Sequence, residues 1–411
     1  MESSIYIRKE TRYISFSTRL LLYMGIMLVG IALRTYVTHS VSIVWIVNII
    51  GLVIFCGRGQ VYGRSKTLVI ALLYILFNIF SILINVNYLS YSIKAIGTNI
   101  NILVFPIYFV LCDNIAREKP LSEEQLQQVL KCISLVGFLV FLYAIIIGRS
   151  DIINVFRGTL NVYRANNSGF FYGKNIYGAF ISLTIAADLY LLTKNQNRKR
   201  LLIILIKFLG VVLSFSRAAL LQAALMFFIY LWLARKRAKR EWIVMIFLLV
   251  IIILLIYTNQ TLYNFFDKNV LRFHTAGDAG RADLRAQAIS RIGDVWRSSL
   301  FGVGFAGIDA LQIDIDNTYL YLFFSGGGIK IVFYIGLLIT WVKTFIKARL
   351  QNSEISHLSI AVGISYFAFA YYESIALFEL GLLNFMFTLY MIILPIAIRN
   401  REDAYGKRIN I

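Results

Sequence analysis

The chain has 411 residues, of which 59% are hydrophobic and 15% aromatic, and its formal net charge is +20. Charged residues make up only 15% of the chain, well below the roughly 25% of soluble globular domains. This composition excludes a soluble protein of this size. Because the apolar residues form long runs and not the short alternating segments of a transmembrane β-barrel, we predict an all-α polytopic membrane protein.

Apolar runs long enough for membrane helices occur along the whole chain. At about 20 residues per crossing, they predict about twelve transmembrane helices in a single integral membrane domain over residues 1–411. The runs lie near 18–36, 41–57, 67–86, 97–113, 129–147, 175–193, 201–215, 218–234, 242–257, 328–346, 358–373 and 376–398. The first run lacks a small-residue cleavage site and is expected to stay as a signal anchor. Lys207, close to the inner end of a short run, is expected to snorkel to the surface.

The distribution of lysine and arginine predicts the orientation of these helices. Basic residues cluster in alternate segments, which is typical of cytoplasmic loops and explains the net charge without nucleic acid as a partner. The clusters lie near residues 8–19, 58–66, 117–131, 194–200, 235–240, 343–349 and 399–408. We therefore expect a multi-pass protein of the cytoplasmic membrane with both termini in the cytoplasm.

Two segments on the predicted outer side are too long to be simple turns. They span residues 148–174 and 258–327, and both contain several arginines. Long loops partly escape the orientation rule, so arginine is permitted there. Loops of this length are usually functional or disordered, and the aromatic content of these two argues against disorder.

Within the second loop, GDAGRADLRAQAISRIGDVWR (277–297) predicts an amphipathic helix. Arg281 and Arg285 are one helical turn apart and share a face, which Ile289, Ile292 and Trp296 continue. The helix would lie on the bundle or on the lipid surface and present its guanidinium pair at its start. The alternative is a solvated helix with salt bridges such as Arg291–Asp294.

Arg217, in VVLSFSRAALLQAAL (211–225), lies between two apolar runs at the predicted outer rim of a helix hairpin. Such a charge is costly unless it is paired, faces a water-filled cavity or snorkels to the interface. Ser214 and Ser216 predict a polar turn, which favours the cavity.

Polar residues also surround the start of the next apolar helix. In the segment 299–328, Gly302 and Gly304 predict a tight turn and Gly326–Gly328 a helix break. Asp314, Asp316 and Asn317 precede the helix, and a carboxylate near several arginines is a candidate general base. The alternative is that Asp316 or Asn317 caps the helix.

Basic and acidic residues flank two further predicted spans at their outer ends. Arg164 and Lys174 flank glycines and aromatics in RANNSGFFYGKNIYGAFISL (164–183), either as substrate ligands or as interfacial anchors. Glu373 and Glu379 either line an acceptor path or pack at helix ends.

Five of these segments, in this order, resemble the O-antigen polymerase/O-antigen ligase superfamily of membrane glycosyltransferases. They are GFFYGKNIYGAF (169–180), SFSRAAL (214–220), GRADLRAQAI (280–289), LFGVGF (300–305) and DNTYLYLFFSGGG (316–328). The resemblance implies a helical enzyme that acts outside the cytoplasmic membrane on polyprenyl-pyrophosphate-linked glycans, both as donor and as acceptor. A chain-length regulator and a flippase are the protein partners it implies.

Residue by residue, the resemblance implies that Arg217 and Arg281 engage the donor's pyrophosphate. Asp316 stands where ligase-type members have the histidine of a histidine–asparagine pair, and Asn317 matches the asparagine. The expected catalytic residues are therefore Asp316, Arg217 and Arg281. The expected substrate-binding residues are Arg164, Lys174, Asn175, Arg285, Asp314 and Asn317.

Three functions remain open, and none of them implies a cofactor or a metal. The first is a polymerase of lipid-linked repeat units, the second a glycan ligase, and the third a flippase for the same lipids. The predicted spans are nearly free of charged residues and show no internal repeat, which argues against the flippase. The cysteines, Cys56, Cys112 and Cys132, have no metal-ligand spacing and are predicted to be free thiols.

Overall fold

The computed structural model describes residues 15–39, 41–56, 66–84, 101–118, 120–157, 159–160, 168–195, 198–235, 257–265, 279–295, 300–304, 315–351, 353–379 and 381–398, with isolated positions at 243–244, 247, 254, 267, 307–308 and 311–312. The regular structure of these residues is helical. The helices are α1 Phe16–Leu33, α2 Val41–Cys56, α3 Lys66–Ile84, α4 Asn101–Arg117, α5 Glu123–Phe156, α6 Lys174–Asn195, α7 Arg198–Leu213, α8 Arg217–Ala234, α9 Gln260–Phe265, α10 Ala279–Ser290, α11 Ile292–Val295, α12 Thr318–Gln351, α13 Ser353–Tyr372, α14 Leu382–Thr388 and α15 Leu394–Ala397. Single π-helical segments, Arg34–Thr38 and Leu389–Ile393, extend α1 and join α14 to α15.

Several of these helices are long enough to cross a bilayer. Within the described ranges, 6 helices meet the requirements of length and apolarity: Phe16–Thr38, Glu123–Phe156, Lys174–Lys194, Arg217–Ala234, Thr318–Lys347 and Glu354–Tyr372. The predicted all-α polytopic membrane fold is confirmed. The number of twelve spans stays a prediction, since most of the run at 242–257 lies outside the described residues.

The bundle is built around α6, whose apolar stretch is 94% buried. Helices α5, α7 and α8 pack along it, and α13 packs along α8 and α12. Small residues allow the close approaches: a Cβ added at Gly137 of α5 would lie 2.4 Å from the Cβ of Thr184 in α6. In a membrane the hydrophobic effect does not drive helices together, because lipid is as apolar as the side chains, and close packing of this kind stabilises the bundle instead.

Ion pairs hold one end of the bundle together. Arg19 at the start of α1 pairs with Glu118 after α4 at 2.5 Å, and Lys194 at the end of α6 pairs with Glu123 at the start of α5 at 2.6 Å. Glu354, at the start of α13, lies 3.8 Å from Lys194. These residues belong to the segments predicted to be cytoplasmic, so the contacts agree with the predicted alternation of helix directions.

The helix α5 extends further than predicted. It continues to Phe156, whereas the apolar run ends near 147 and the first outer loop was predicted from residue 148. Ile152 and Val155 on this extension are buried, which explains why the helix persists: it still has an apolar face to cover.

Lys207 contradicts its prediction. Its side chain is 0% exposed, and its ammonium lies 2.6 Å from the carboxylate of Asp188 in α6, so it does not snorkel. The ammonium also donates to the carbonyl oxygen of Ser134 in α5, at 2.8 Å. The buried carboxylate of Asp188 provides a counter-charge, which compensates in part for the hydration that the ammonium loses.

Candidate functional site

The site forms at the end of the bundle opposite to these ion pairs, where α12 begins. Asn317 caps this helix: its Oδ1 accepts hydrogen bonds from the backbone N–H groups of Tyr319 at 2.9 Å and Leu320 at 3.1 Å. Its Nδ2 donates to the carbonyl oxygen of Tyr371, the second-last residue of α13, at 2.9 Å. The predicted capping role is confirmed for Asn317.

A second contact fixes the start of α12 to the segment that follows α13. The hydroxyl of Thr318 donates to the carbonyl oxygen of Glu373 at 2.6 Å and accepts from the backbone N–H of Ile375 at 2.8 Å. Thr318 is fully buried, so these bonds replace the hydration that it lost. Asp316 therefore precedes a helix start that cannot shift freely.

Asp316 faces Arg285 from α10. The Nε of Arg285 lies 3.5 Å from Oδ1 of Asp316, and both side chains are mostly buried. The guanidinium also donates to the carbonyl oxygen of Tyr371 at 3.2 Å and lies 4.4 Å from the centre of the Tyr371 ring. A hydrogen bond, an ion pair and a cation–π contact together hold the guanidinium plane in one orientation.

The predicted helix around Arg281 and Arg285 is confirmed as α10. Ala288 is buried with Val303 and Phe324, and Ile292 packs against this small cluster, so α10 lies on the bundle. Ile289 is 55% exposed, which departs from the predicted continuous apolar face. The side chain of Arg281 and the whole of Trp296 lie outside the described part of the chain.

The turn before Arg217 is built by its two serines. The hydroxyl of Ser214 donates to the carbonyl oxygen of Val211 at 2.6 Å, and the Ser216 hydroxyl accepts from the backbone N–H of Ala219 at 3.2 Å as the N-cap of α8. Phe215 between them has a φ of 54°. The predicted polar turn is confirmed, and it places Arg217 as the first residue of α8.

Contacts of α6 join this turn to the start of α12. A Cβ at Gly178 would lie 2.6 Å from the Ser214 hydroxyl oxygen, so the turn packs directly on α6. One turn earlier in α6, the Nδ2 of Asn175 donates to Oε1 of Glu373 at 2.5 Å. Lys174 is the first residue of the same helix. The segments of Arg217, Asn175 and Asp316 therefore meet at one end of the bundle.

The glycines predicted to bend the chain do so. Gly302 and Gly304 have φ angles of 69° and 66°, and Gly327 interrupts α12 with φ 62° and ψ −159°. The backbone N–H of Val303 donates to the carbonyl oxygen of Phe324 at 2.8 Å. The loop at 300–304 is thus docked on the first segment of α12, immediately before the break.

Two buried ion pairs were not predicted as pairs. Besides Asp188–Lys207, the ammonium of Lys330 lies 2.7 Å from Glu379 behind the break in α12. This contact favours the helix-packing interpretation of Glu379 over an acceptor path. Lys330 lies two residues after the three glycines. In the sequence, only this position beside a predicted helix break marks it as unusual.

The described part of the chain does not include every predicted ligand. Arg164 and Asp314 lie outside the described residues, as does the side chain of Arg281, so their roles stay predictions. All three cysteines are free thiols, as predicted.

Comparison with known proteins finds a family that matches part of the chain. Residues 200–335, about a third of the chain, match the model of a family described as O-antigen ligase. This range contains Arg217, α10 and the start of α12, whereas Lys174 and Asn175 precede it. No curated protein and no solved structure matches the chain significantly.

Proposed function

Since the O-antigen ligase match over residues 200–335 supports membership of the O-antigen ligase/polymerase superfamily, we propose that this chain is a membrane glycosyltransferase that polymerises lipid-linked oligosaccharide repeat units. The substrates in this proposal are polyprenyl-pyrophosphate-linked glycans on the outer face of the cytoplasmic membrane, and the product is a capsule, an exopolysaccharide or an O-antigen. The main support is the contact of a carboxylate, Asp316, with Arg285 of α10 at the end of the bundle where α8 also begins.

The proposed reaction needs only two chemical roles from the protein. The bond between the anomeric carbon and the pyrophosphate oxygen of the donor breaks, and the anomeric carbon bonds to a hydroxyl oxygen of the acceptor glycan. Asp316 takes the hydroxyl proton as general base. Polyprenyl pyrophosphate leaves with the bonding electrons. Because the donor is already activated, no nucleotide is required.

Arg217 and Arg281 would stabilise the departing pyrophosphate. Guanidinium groups stay charged at any physiological pH and bind phosphate oxygens in pairs. Charges placed in advance where negative charge develops lower the barrier of the transfer step. The first-turn position of Arg217 adds the positive end of the α8 dipole, which also favours an anion.

Arg285 and Asn317 act as positioning residues in this proposal. Arg285 holds Asp316 and is itself held by Tyr371, while both ends of the Asn317 amide are engaged in capping and anchoring. Direct contacts of these two residues with the glycan remain predictions.

The identity of residue 316 bears on the choice between polymerase and ligase. The family resemblance expects histidine in ligase-type members where this chain has Asp316. A carboxylate accepts a proton but, once ionised, has none to donate. Asp316 can take the acceptor's proton in either reaction; its presence in place of the ligase-type histidine is what favours the polymerase, and the ligase is the second candidate.

The test is complementation of a deletion strain, read as the glycan chain-length ladder. Arg217→Ala and Asp316→Asn are each expected to lower the yield of long chains by at least about a hundredfold. Removing one preorganised charge or general base slows a reaction by about that factor. The matched control is Arg235→Ala, which removes an arginine from the opposite end of α8, where it stacks on Trp232 at 4.6 Å. Normal ladders in both site variants would refute the proposal.

The deletion strain itself separates the candidate functions. Single repeat units on lipid in the outer leaflet indicate a polymerase, whereas long lipid-linked chains indicate a ligase. Repeat units retained in the inner leaflet would indicate transport.

A further inference from the structure

The loop at 168–173 is firmly attached to the end of α1. The hydroxyl of Thr35 donates to the carbonyl oxygen of Phe170 at 2.6 Å, and the hydroxyl of Ser168 donates to that of Phe171 at 2.8 Å. Gly169, with φ 60°, packs against the backbone of Ala144 in α5. Phe171 is buried. These contacts fix the direction in which the next residue, Tyr172, leaves the bundle.

Tyr172 presents an aromatic ring outward from this rigid loop. The residue is 60% exposed, and the guanidinium of Arg34 lies 4.1 Å from the centre of its ring. Arg34 begins the π-helical turn Arg34–Thr38, which is followed by His39 with φ 52°. One face of the ring is therefore covered by a cation. This contact orients the ring and draws on its electron density.

The ring is next to the site. Tyr172 lies three residues before Asn175, whose Nδ2 donates a hydrogen bond to Oε1 of Glu373 at 2.5 Å. Glu373 follows Tyr371 and Tyr372, both of which contact the guanidinium of Arg285. Tyr172, Asn175 and Glu373 thus lie at the same end of the bundle as Arg285 and Asp316.

We propose that Tyr172, with Arg34, Glu373 and Asn175, is a subsite for a neutral sugar ring of the acceptor oligosaccharide. One face of a pyranose carries C–H groups, which pack on an aromatic face, while its hydroxyls need both donors and acceptors at the edge of the ring. Arginine and asparagine supply the donors, and glutamate supplies the acceptor. Such a combination of a ring with a few convergent polar groups is typical of small-molecule sites.

Other ligands fit this surface less well. A phosphate would face the carboxylate of Glu373 at close range, and like charges repel strongly where water is scarce. Lipid tails would have to cover a guanidinium, a carboxylate and an amide without returning hydrogen bonds. A sugar satisfies these groups and covers the ring as well.

The inference rests on the proposed glycosyltransferase function, and its test separates binding from chemistry. Purified full-length protein is assayed with lipid-linked repeat units isolated from the deletion strain, for Tyr172→Ala and Tyr172→Phe. Loss of ring stacking, estimated at about 1.4 kcal/mol, predicts about a tenfold higher KM in the alanine variant. Its kcat is expected to stay within about twofold because the ring does not touch the reacting atoms.

The phenylalanine variant retains the ring and is expected to keep KM within about threefold of the unaltered protein. The control is Tyr257→Ala, which removes another tyrosine that is 77% exposed and is expected to change neither constant. An unchanged KM in Tyr172→Ala, or a loss of kcat alone, would overturn the subsite.

Binding of the free repeat-unit oligosaccharide, released from its lipid, keeps the two proposals distinguishable. It is measured by saturation-transfer NMR on the unaltered protein and on Tyr172→Ala, with each variant's thermal melt as the folding check. Binding that depends on Tyr172, without any polymerisation, would support the subsite and refute the polymerase. Polymerisation by the unaltered protein, with equal oligosaccharide binding in both proteins, would support the polymerase and refute the subsite.

Discussion

Replacing Lys207 with methionine tests how the bundle tolerates the loss of a fully buried charge. The ammonium of Lys207 lies 2.6 Å from Asp188, and neither side chain is exposed. Methionine approximates the shape of the lysine side chain but removes the ammonium, with its charge and its hydrogen bond to the carbonyl oxygen of Ser134. Asp188 then keeps one cationic partner, Arg200, at 3.1 Å.

The structure sets the expected magnitude. Removing one partner of a buried ion pair costs about 3–5 kcal/mol, because the other charge is left without compensation. Arg200 still contacts Asp188 and its side chain is 21% exposed, so some hydration reaches this side of the carboxylate. We therefore expect a loss of about 3 kcal/mol in the free energy of unfolding for Lys207→Met.

The double variant Asp188→Asn/Lys207→Met should recover part of this loss, since the one ion it leaves without its carboxylate partner is Arg200, whose side chain is 21% exposed and can reach water. Coupling between contacting residues of this kind reaches about 3 kcal/mol. The assay is equilibrium unfolding in mixed detergent micelles, followed by tryptophan fluorescence for both single variants and the double variant. The control is Asp113→Asn, which breaks the partly exposed pair with Arg117 in α4 and is expected to cost about 0.5 kcal/mol. The reasoning fails if Lys207→Met is as stable as Asp113→Asn, or if the effects of the two single changes simply add.

Three further predictions concern the site. Gly302→Ala would bring a Cβ within 2.6 Å of the backbone nitrogen of Gly326 at a φ of 69°, so a loss of about 2 kcal/mol and a lower melting temperature are expected. Asn317→Ala should melt lower than Asn317→Ser, because serine still caps α12 and the cap alone is worth about 1 kcal/mol; equal melting temperatures would contradict the capping role. Arg285→Lys keeps the charge but loses the planar contacts with Tyr371, so shorter ladders are expected at unchanged protein abundance, and a full ladder would argue against a positioning role.

The features that were predicted correctly depend on neighbours in sequence. The cap at Asn317, the serine turn before Arg217 and the helix break at the glycines each follow from what a residue does to its own backbone within a few positions. Such effects depend little on the rest of the fold. The helical membrane class follows in the same way from apolar runs of sufficient length.

The features that were missed depend on residues that are distant in sequence. Asp188 appears in an otherwise apolar run with no sign that Lys207 would reach it, and Lys330 meets Glu379 across the fold. Arg285 and Tyr371 are 86 positions apart. Periodicity and charge counts describe a single helix and carry no information on which helix lies beside it. From the sequence, Lys207 is therefore predicted to reach the membrane surface, whereas in the fold it pairs with the carboxylate of Asp188.

The geometry around Arg285 bears on the function of its helix. The guanidinium of Arg285 is directed to Tyr371 and Asp316, and Ala288 packs one turn later on Phe324 and Val303. These contacts dock the C-terminal half of α10 on the protein. Arg281 lies one turn before Arg285, toward the N-terminal end of the helix. If both arginines bound phosphate, docking and catalysis would compete for the same groups. A division in which Arg285 anchors the helix and Arg281 meets the pyrophosphate avoids this conflict, and it gives each of the two arginines a different physical reason to be there.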